Sequence, residues 1–273
     1  MRKIILATVG SMGDLYPLIA IAKALKGYGF HPVLAVPEDH VVKAMAAGIE
    51  AVGVLPSFAT LCVRAGLDEG ETARKLIGKQ REILEQLILP DLASCTAKLE
   101  ALAVDAEAII ASSFFMAAPI VAEKRGLPLV SIVLQPMALL CALDPPSTPD
   151  FWMMKRRPGA LGGAWNRAMF LALRQIVNLL YGRQIDRVRR VHGLAPTGAR
   201  RMFESSGAAV LTLGCYSPLL APLPADAPAN VAIVGFPMFD GAVDDQEALD
   251  PALQAFLSAG PPPLVFTRSS PPE

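Results

Sequence analysis

Near its start the chain reads Ile4-Ile5-Leu6-Ala7-Thr8-Val9-Gly10-Ser11-Met12-Gly13-Asp14-Leu15-Tyr16-Pro17. The first six of these residues form an almost entirely apolar run that glycine ends, which is typical of a buried parallel strand. Residues 18–25 then place apolar side chains at helical spacing. We therefore predict a strand, a glycine turn and a helix, with one carboxylate, that of Asp14, standing in the turn.

Strand and helix patterns keep alternating beyond this turn. Further strands are predicted at 32–36, 49–55, 108–111 and 128–134, and helices at 38–47 and 116–124. This alternation is typical of βαβ units, whose strands lie parallel in one sheet with helices on both faces. The fold class predicted is therefore α/β, with a doubly wound parallel sheet.

The remaining segments are less regular. Residues 56–70 are predicted to form a loop, and 71–102 a long helix that breaks at Pro90. Residues 164–192 have the periodicity of an amphipathic helix. Short late strands are predicted at 209–213, 231–234 and 264–267. Gly, Asp and a run of prolines that begins at its end make 241–262 typical of a linker.

The composition describes a globular chain. Hydrophobic residues make up 53% of it, and the formal net charge is zero, so the whole chain has no electrostatic bias toward nucleic acid. The four cysteines form neither a CxxC pair nor a Cys/His cluster, which argues against a zinc site and fits a reducing cytosol. No signal peptide and no apolar stretch long enough to span a membrane is predicted. We expect a cytoplasmic protein without a metal.

Charge is concentrated in residues 151–201. This segment holds one acidic residue, Asp186, and eleven basic ones: Lys155, Arg156, Arg157, Arg167, Arg174, Arg183, Arg187, Arg189, Arg190, Arg200 and Arg201. An ordinary core-facing helix with a solvated basic side explains the pattern. A helix that rests on anionic lipid explains it as well. Nucleic acid fits poorly, because the segment has no known reading motif and few aromatic residues that could stack on bases.

The turn carries a family resemblance. Gly10-Ser11-Met12-Gly13-Asp14-Leu15-Tyr16-Pro17 resembles the GS-x-GD-x-x-P turn of the GT-B glycosyltransferases related to sterol glucosyltransferases, glycopeptide glycosyltransferases and the rhamnosyltransferase that makes rhamnolipids. Four further landmarks of the family follow in order: Ala111-Ser112-Ser113, Gly126-Leu127-Pro128, Gly235-Phe236-Pro237 with Phe239-Asp240-Gly241, and Pro263-Leu264-Val265-Phe266-Thr267. A dinucleotide-binding fold is the rival explanation, but it requires GxGxxG and an acidic residue where Val36-Pro37 stands.

The resemblance implies three parts in the chain. Residues 1–240 would be a Rossmann-like acceptor-binding domain, 241–262 a linker, and 263–273 a vestige of the first strand of a nucleotide-sugar-binding domain. The His-Gly-Gly type loop that binds the sugar donor in the family has no counterpart here, and Thr267 is a weak candidate on the donor side. We expect the chain to be incomplete and inactive alone, with a separately encoded C-terminal donor domain as partner. The alternative is a non-catalytic acceptor-binding or interaction module.

The resemblance also implies a reaction. It is inverting transfer of a hexosyl group from a UDP- or dTDP-sugar to a hydroxyl of a small hydrophobic or lipid acceptor, without a cofactor or a metal. Asp14 would be the catalytic base. The implied acceptor-binding residues are Gly10, Ser11, Gly13, Ser113, Phe114, Gln135 and Met137. A lipid acceptor would fit peripheral contact of residues 151–201 with the inner face of the membrane.

Several of these residues have a simpler structural explanation. Asp14 is also a residue type that caps helices, although Pro17, which favours the first helical position, would make Tyr16 the N-cap and leave Asp14 outside the helix. Gly10 and Gly13 would supply positive φ angles, with close approach of a ligand as an added reason. Ser112 and Ser113 would cap the helix that follows them. Among the histidines, His31 is predicted to lie on the surface.

Overall fold

The computed structural model describes residues 2–66, 68, 83–147, 151–155, 159–200, 209–239 and 251–264. Its strands are β1 (Arg2–Ala7), β2 (Phe30–Pro37), β3 (Glu50–Leu55), β4 (Ala106–Ser112), β5 (Leu129–Val133), β6 (Leu211–Gly214) and β7 (Val231–Ile233). They form one sheet in the order β3-β2-β1-β4-β5-β6-β7, and each neighbouring pair is parallel. The predicted α/β fold with a parallel sheet is confirmed.

The described helices are α1 (Met12–Gly27), α2 (Glu38–Ala46), α3 (Phe58–Ala65), α4 (Leu92–Leu102), α5 (Ala117–Arg125), α6 (Ala160–Val191) and α7 (Pro251–Ser258). A π-helical turn, Ile83–Ile88, precedes α4, so the helix predicted up to residue 102 does break near Pro90. A 3₁₀ turn, Pro136–Leu139, follows β5. No helix among the described residues has both the length and the apolar character needed to cross a bilayer.

The prediction of a loop at 56–70 is wrong, because α3 lies within it. Ser57 caps this helix by accepting a hydrogen bond from the Thr60 N–H at 3.1 Å. Gly66, with a φ of 63°, ends it in the left-handed conformation that glycine favours. Both ends therefore carry ordinary helix signals, and the helix is only eight residues long.

The core has two layers, one on each face of the sheet. Ile5 and Ala7 of β1 face the layer formed by α4, α5 and α6, while Ile4 and Leu6 face the layer formed by α1 and α2. This alternation is the side-chain period of a strand, and it is why β1 has to be apolar on both faces. Complete burial of an Ile or Leu side chain stabilises the fold by roughly 1.5–3 kcal/mol. The sheet is thus a rigid support for the loops at its carboxyl edge.

An ion pair between a buried arginine and a surface glutamate fixes the end of α6. Arg189 is 1% exposed, and its two terminal nitrogens donate to the Glu123 carboxylate of α5 at 3.0 Å each. Its Nε donates to the Ala195 carbonyl at 2.8 Å. Arg189 is therefore part of the core. The expectation that it belongs to a basic helix side that could face a lipid surface is wrong for this residue.

The predicted linker, 241–262, contains the helix α7, none of whose residues is buried. Residues 265–267 of the predicted strand, including Thr267, lie outside the described residues. Just before the linker, the Phe239 ring packs edge-on against the Tyr16 ring of α1 with centroids 5.5 Å apart, and Lys23 Nζ lies 4.7 Å from the Phe239 centroid. The chain is thus anchored on α1 at residue 239, and the boundaries of 1–240, 241–262 and 263–273 stay predictions.

We expect Arg189→Ala to lower the free energy of unfolding by about 2–3 kcal/mol, because it removes a buried side chain from the core and leaves the Ala195 carbonyl without its donor. Urea denaturation of the purified chain measures the change. Arg187→Ala is the matched control, since Arg187 is exposed on the same helix, and it should change stability by less than about 0.5 kcal/mol. Equal losses in the two variants would contradict a core role for Arg189.

Candidate functional site

The carboxyl ends of four adjacent strands bring the predicted site residues to one edge of the sheet. Ala7 of β1 lies opposite Ala35 of β2 and Ala111 of β4, and β4 in turn pairs with β5. The segments that follow these strands carry Asp14, His40, Ser113 with Phe114, and Gln135 with Met137. Ligands of open α/β sheets bind at this edge.

Asp14 lies in the first turn of α1. The helix begins at Met12 with Ser11 as its N-cap, and the N–H groups of Asp14 and Leu15 donate to the Ser11 carbonyl at 2.9 and 3.1 Å. The prediction that Tyr16 is the N-cap is wrong, and Pro17 lies inside the helix. The Ser11 side chain makes no capping hydrogen bond; the helix start is stabilised instead by the Asp14 carboxyl, which accepts from the Ser11 backbone N–H and hydroxyl.

Gly10 is required by the side chain of Asp14. A Cβ at position 10 would lie 1.7 Å from Asp14 Oδ2, 2.2 Å from its Cγ and 2.9 Å from its Cβ. Neither Gly10 nor Gly13 has a positive φ, so that prediction is wrong for both. The close approach expected at Gly10 is made by a side chain of the same chain. At Gly13, by contrast, a Cβ would meet only Ser11 Oγ, at 3.6 Å, so the space beside it is open.

The Asp14 carboxylate is held in a mixed environment. Burial raises its pKa above 3.8, and this effect outweighs the backbone and the hydroxyl of Ser11 and the charge of the His40 ring, all of which lower it. The contact with Ser11 resembles a capping box, in which the third helical residue reaches back to the N-cap. Because the pKa is nevertheless raised, the carboxylate is a stronger base than a solvated one.

His40 is a site residue that the sequence analysis missed. It is 8% exposed, and its Nε2 donates to the Gly10 carbonyl at 2.9 Å. No local sequence pattern points to His40, because it reaches the glycine turn only through the pairing of β2 with β1. His31 lies at the surface as predicted, with Nε2 2.8 Å from a Glu50 carboxylate oxygen.

The other predicted acceptor-binding residues lie along the same edge of the sheet and differ in how exposed they are. The Ser113 hydroxyl donates to the Ile132 carbonyl at 3.1 Å, which ties it to β5 and favours a structural role. Phe114 is 54% exposed, Gln135 is exposed and Met137 is half-buried. They follow β4 and β5, which lie roughly 5 and 10 Å from β1 across the sheet. They remain candidate wall residues.

A small cavity lies between the sheet and the helices α5 and α6, with a volume of about 30 Å³. Two hydroxyls that border it, Ser112 Oγ and Thr197 Oγ1, have no hydrogen-bond partner within the described residues. Of the predicted acceptor residues it includes Ser113, but Asp14 does not line it. The space suits about two water molecules and is too small for a hydrophobic acceptor. The open edge beside Asp14 is therefore the candidate site.

Ionisable groups elsewhere give no sign of metal or thiol chemistry. Within the part of the chain that the structure describes, no three His, Cys, Asp or Glu side chains converge on a common point. All four cysteines are buried and free. Burial raises the pKa of Cys95 and of Cys141 to about 12, so neither is a nucleophile near neutral pH.

Comparison with known proteins identifies the class to which this fold and edge belong. Residues 4–141 match the glycosyltransferase family 28 N-terminal domain. The match covers slightly more than half of the 273 residues, so the chain belongs to this family. The resemblance predicted from the glycine turn is thereby confirmed.

Individual relatives agree with the family. The chain is 26% identical over 254 residues to a sterol 3-beta-glucosyltransferase of Aspergillus clavatus, covering 92% of this chain and 17% of that protein. It is 27% identical over 283 residues to the vancomycin aglycone glucosyltransferase of Amycolatopsis orientalis, covering 97% of this chain and 60% of that protein. The chain thus spans less than two thirds of the length of these relatives.

A solved structure gives the same fold. The glycosyltransferase SnogD from Streptomyces nogalater superposes with a TM-score of 0.51 at 18% sequence identity, covering 92% of this chain and 56% of that one. At this identity the likeness shows the fold alone. The parallel sheet with helices on both faces therefore corresponds to the Rossmann-like N-terminal half of GT-B glycosyltransferases.

Opposite effects on stability are expected from alanine at the two glycines of the turn. Gly13→Ala should raise the free energy of unfolding by about 0.5–1 kcal/mol, because alanine is the better helix former and its Cβ has room. Gly10→Ala should lower it by about 1–3 kcal/mol, because the methyl group overlaps the Asp14 side chain. Urea unfolding checks both values. In an Asp14→Ala background the cost of Gly10→Ala should shrink, and an unchanged cost would rule out the contact.

The raised pKa of Asp14 predicts how its removal affects stability. A carboxyl whose pKa is higher in the folded state contributes stability below 3.8 that is lost as the pH rises through the folded pKa. Asp14→Asn should therefore match or exceed the wild type in unfolding midpoint at pH 7, and the advantage should vanish near pH 3. Asp91→Asn is the control, because Asp91 pairs with Arg64 at 2.5 Å and its replacement should destabilise the chain. A clear loss at pH 7 in Asp14→Asn would show a purely structural carboxylate.

Proposed function

We propose that this chain is the acceptor-binding half of an inverting glycosyltransferase and that Asp14 is its general base. The observation that carries the proposal is the placement of one carboxylate at the carboxyl edge of the sheet. It is seated on Gly10, and burial raises its pKa above 3.8. The open space beside Gly13 gives an acceptor hydroxyl access to this edge. A base of this kind has to lie within about 2.6–3.2 Å of the proton it takes.

The step balances as a single displacement. The acceptor hydroxyl gives its proton to an Asp14 carboxylate oxygen as its own oxygen forms a bond to the anomeric carbon of the sugar. The bond from that carbon to the diphosphate oxygen breaks, and the nucleoside diphosphate leaves with the electron pair. The new bond forms on the face opposite the leaving group, so the configuration inverts. Neither a metal nor a cofactor is needed for this proton transfer.

The sugar donor is proposed to be a UDP- or dTDP-sugar bound by a second, nucleotide-sugar-binding domain. Support comes from the relatives, which are longer than this chain and are named as glucosyltransferases. The second domain would face the carboxyl edge, because the base acts there. In this arrangement the cleft between two domains, and not a cavity within one, holds the acceptor.

The acceptor is proposed to be hydrophobic or a lipid. The name of the Aspergillus clavatus relative specifies a sterol, and an apolar stripe on α6 supports the same class here. Leu161, Trp165, Ile176 and Leu179 fall on one side of this helix and are 89%, 42%, 53% and 80% exposed. Between residues 161 and 179 the helix rises about 27 Å. An exposed apolar stripe of that length is typical of a surface that an apolar compound or a membrane covers.

Arginines continue the stripe toward the end of α6. Arg183 and Arg187 are exposed and follow Leu179 on the same side of the helix. An apolar stripe that runs into arginines is typical of helices that lie in a membrane interface with anionic lipid. We therefore propose peripheral contact of the 151–201 segment with such a surface, where a lipid acceptor would be found.

Turnover tests the role of Asp14. With a nucleotide-sugar-binding half supplied, Asp14→Asn should lower kcat by about 10²-fold or more, because the acceptor loses its base. Asp39→Asn is the matched control, since the Asp39 carboxylate accepts from the Phe58 N–H at 2.5 Å and lies on the neighbouring helix α2. Initial rates with a UDP-sugar and a hydrophobic alcohol give the measurement.

Two outcomes would overturn the proposal. Unchanged turnover in Asp14→Asn would show that Asp14 is not the general base. Binding of hydrophobic alcohols to the chain without transfer in any pairing with a donor-binding half would favour the alternative, a non-catalytic acceptor-binding module. Acceptor binding by itself can be followed by calorimetry on the 273-residue chain, where Asp14→Asn should retain most of the affinity.

Sedimentation with vesicles tests the lipid surface. The chain should bind vesicles that contain phosphatidylserine more strongly than neutral ones, and added salt should weaken the binding. Leu179→Asp should reduce binding about tenfold, because it places a charge in the apolar stripe. Leu219→Asp is the control, since Leu219 is 96% exposed but lies outside α6. Equal binding by both variants would exclude α6 as the contact.

A further inference from the structure

His40 is a buried ionisable residue to which the proposed function gives no role. It is the third residue of α2, which follows β2 without an intervening loop. Because β2 pairs with β1 in parallel register, the start of α2 lies beside the turn that follows β1. The side chain is 8% exposed, so its polar atoms have left water.

The two ring nitrogens of His40 are bonded unequally. Nε2 lies 2.9 Å from the Gly10 carbonyl oxygen, which can only accept, so Nε2 carries a proton whether the ring is neutral or charged. Nδ1 is buried and has no hydrogen-bond partner within the described residues. An apolar side chain of similar size would avoid that unpaired atom, so the histidine is not explained by packing.

Gly10 connects His40 to Asp14. Its carbonyl is held by His40, and its Cα supports the Asp14 side chain so closely that a Cβ would overlap the carboxylate. The orientation of this one residue therefore sets one wall of the space that the carboxylate occupies. Rotation of the Gly10 peptide would move the surface against which Asp14 packs.

The charged neighbours of His40 on α2 are engaged elsewhere. Asp39 accepts from the Phe58 N–H at 2.5 Å, and Glu38 lies 3.8 Å from Lys98 Nζ. Lys43 Nζ stands 5.3 Å from the centre of the Tyr16 ring. None of these contacts involves Gly10, whereas that of His40 does.

We propose that His40 is a positioning residue for Asp14: by donating to the Gly10 carbonyl, it holds the glycine in the orientation that seats the carboxylate at the acceptor edge. The inference rests on the proposed function, because a positioned carboxylate matters only if Asp14 acts as the base. His40 itself touches neither acceptor nor sugar in this proposal.

Nuclear magnetic resonance of the 273-residue chain tests the geometry without any enzyme assay. Neutral His40 should carry its proton on Nε2. His40→Phe should shift the Gly10 carbonyl carbon and the Asp14 carboxyl carbon, and His40→Gln, which restores an N–H donor at similar reach, should return both toward their wild-type values. His31→Phe is the matched control and should move neither, because His31 is paired with Glu50 at the surface.

Three results would overturn the inference: a proton on Nδ1 in the neutral ring, an Asp14 carboxyl signal that His40→Phe leaves unchanged, or a failure of His40→Gln to restore it. If His40→Phe does not fold, the proton position in the wild-type ring still decides. In the assembled enzyme, His40→Phe should lower kcat by about tenfold or more at an unchanged acceptor KM, since misplacing a catalytic group by ~1 Å costs on the order of 10²-fold.

The two proposals fail in different ways. If Asp14→Asn keeps full turnover, the general base is wrong whatever His40 does to the carboxyl signal. If Asp14→Asn loses turnover while His40→Phe changes neither kcat nor the Asp14 signal, the general base stands and the positioning role of His40 is wrong.

Discussion

The Asp14 side chain occupies the space in which any residue other than glycine at position 10 would carry its Cβ. This contact ties the end of β1 to the first turn of α1 and brings the carboxylate back against the backbone. The parallel sheet is what makes such a contact possible, since it fixes β1 between β2 and β4 and leaves its carboxyl end open. The site depends on this one steric constraint more than on any cavity.

The first turn of α1 shows a conflict between stability and chemistry. Ser11 and Asp14 occupy the positions of a capping box, an arrangement that stabilises a helix start. Burial nevertheless raises the pKa of Asp14, so the folded chain is less stable for holding this group ionised. The proposed role of Asp14 as a base rests on this raised pKa and on the open space beside Gly13.

The parts of the fold that follow from local patterning could be predicted from the sequence. Apolar runs that end in glycine and alternate with helical spacing predicted the parallel sheet, and the GxxGD turn indicated the family. The preference of proline for the first helical position does not locate the start of α1, because the Asp14 carboxyl bonds back to Ser11 and the helix begins there. The short helix α3 was missed although Ser57 and Gly66 stood at its ends.

What could not be predicted is what depends on contacts between distant segments. His40 reaches Gly10 across 30 residues of sequence, through the pairing of β2 with β1, and no local pattern contains that distance. By sequence, Arg189 cannot be distinguished from the other basic residues of 151–201, because its partner, Glu123, lies on a different helix, α5. Position 10 likewise requires glycine because of where the Asp14 side chain lies in three dimensions, which the sequence alone does not show.

The most direct test of the central claim is the structure of this chain with a bound hydrophobic alcohol. We expect the hydroxyl oxygen to lie about 2.6–3.2 Å from an Asp14 carboxylate oxygen, with the rest of the molecule along the edge formed by Phe114, Gln135 and Met137. A hydroxyl bound instead in the cavity lined by Ser112, Thr197 and Arg189, away from Asp14, would contradict it.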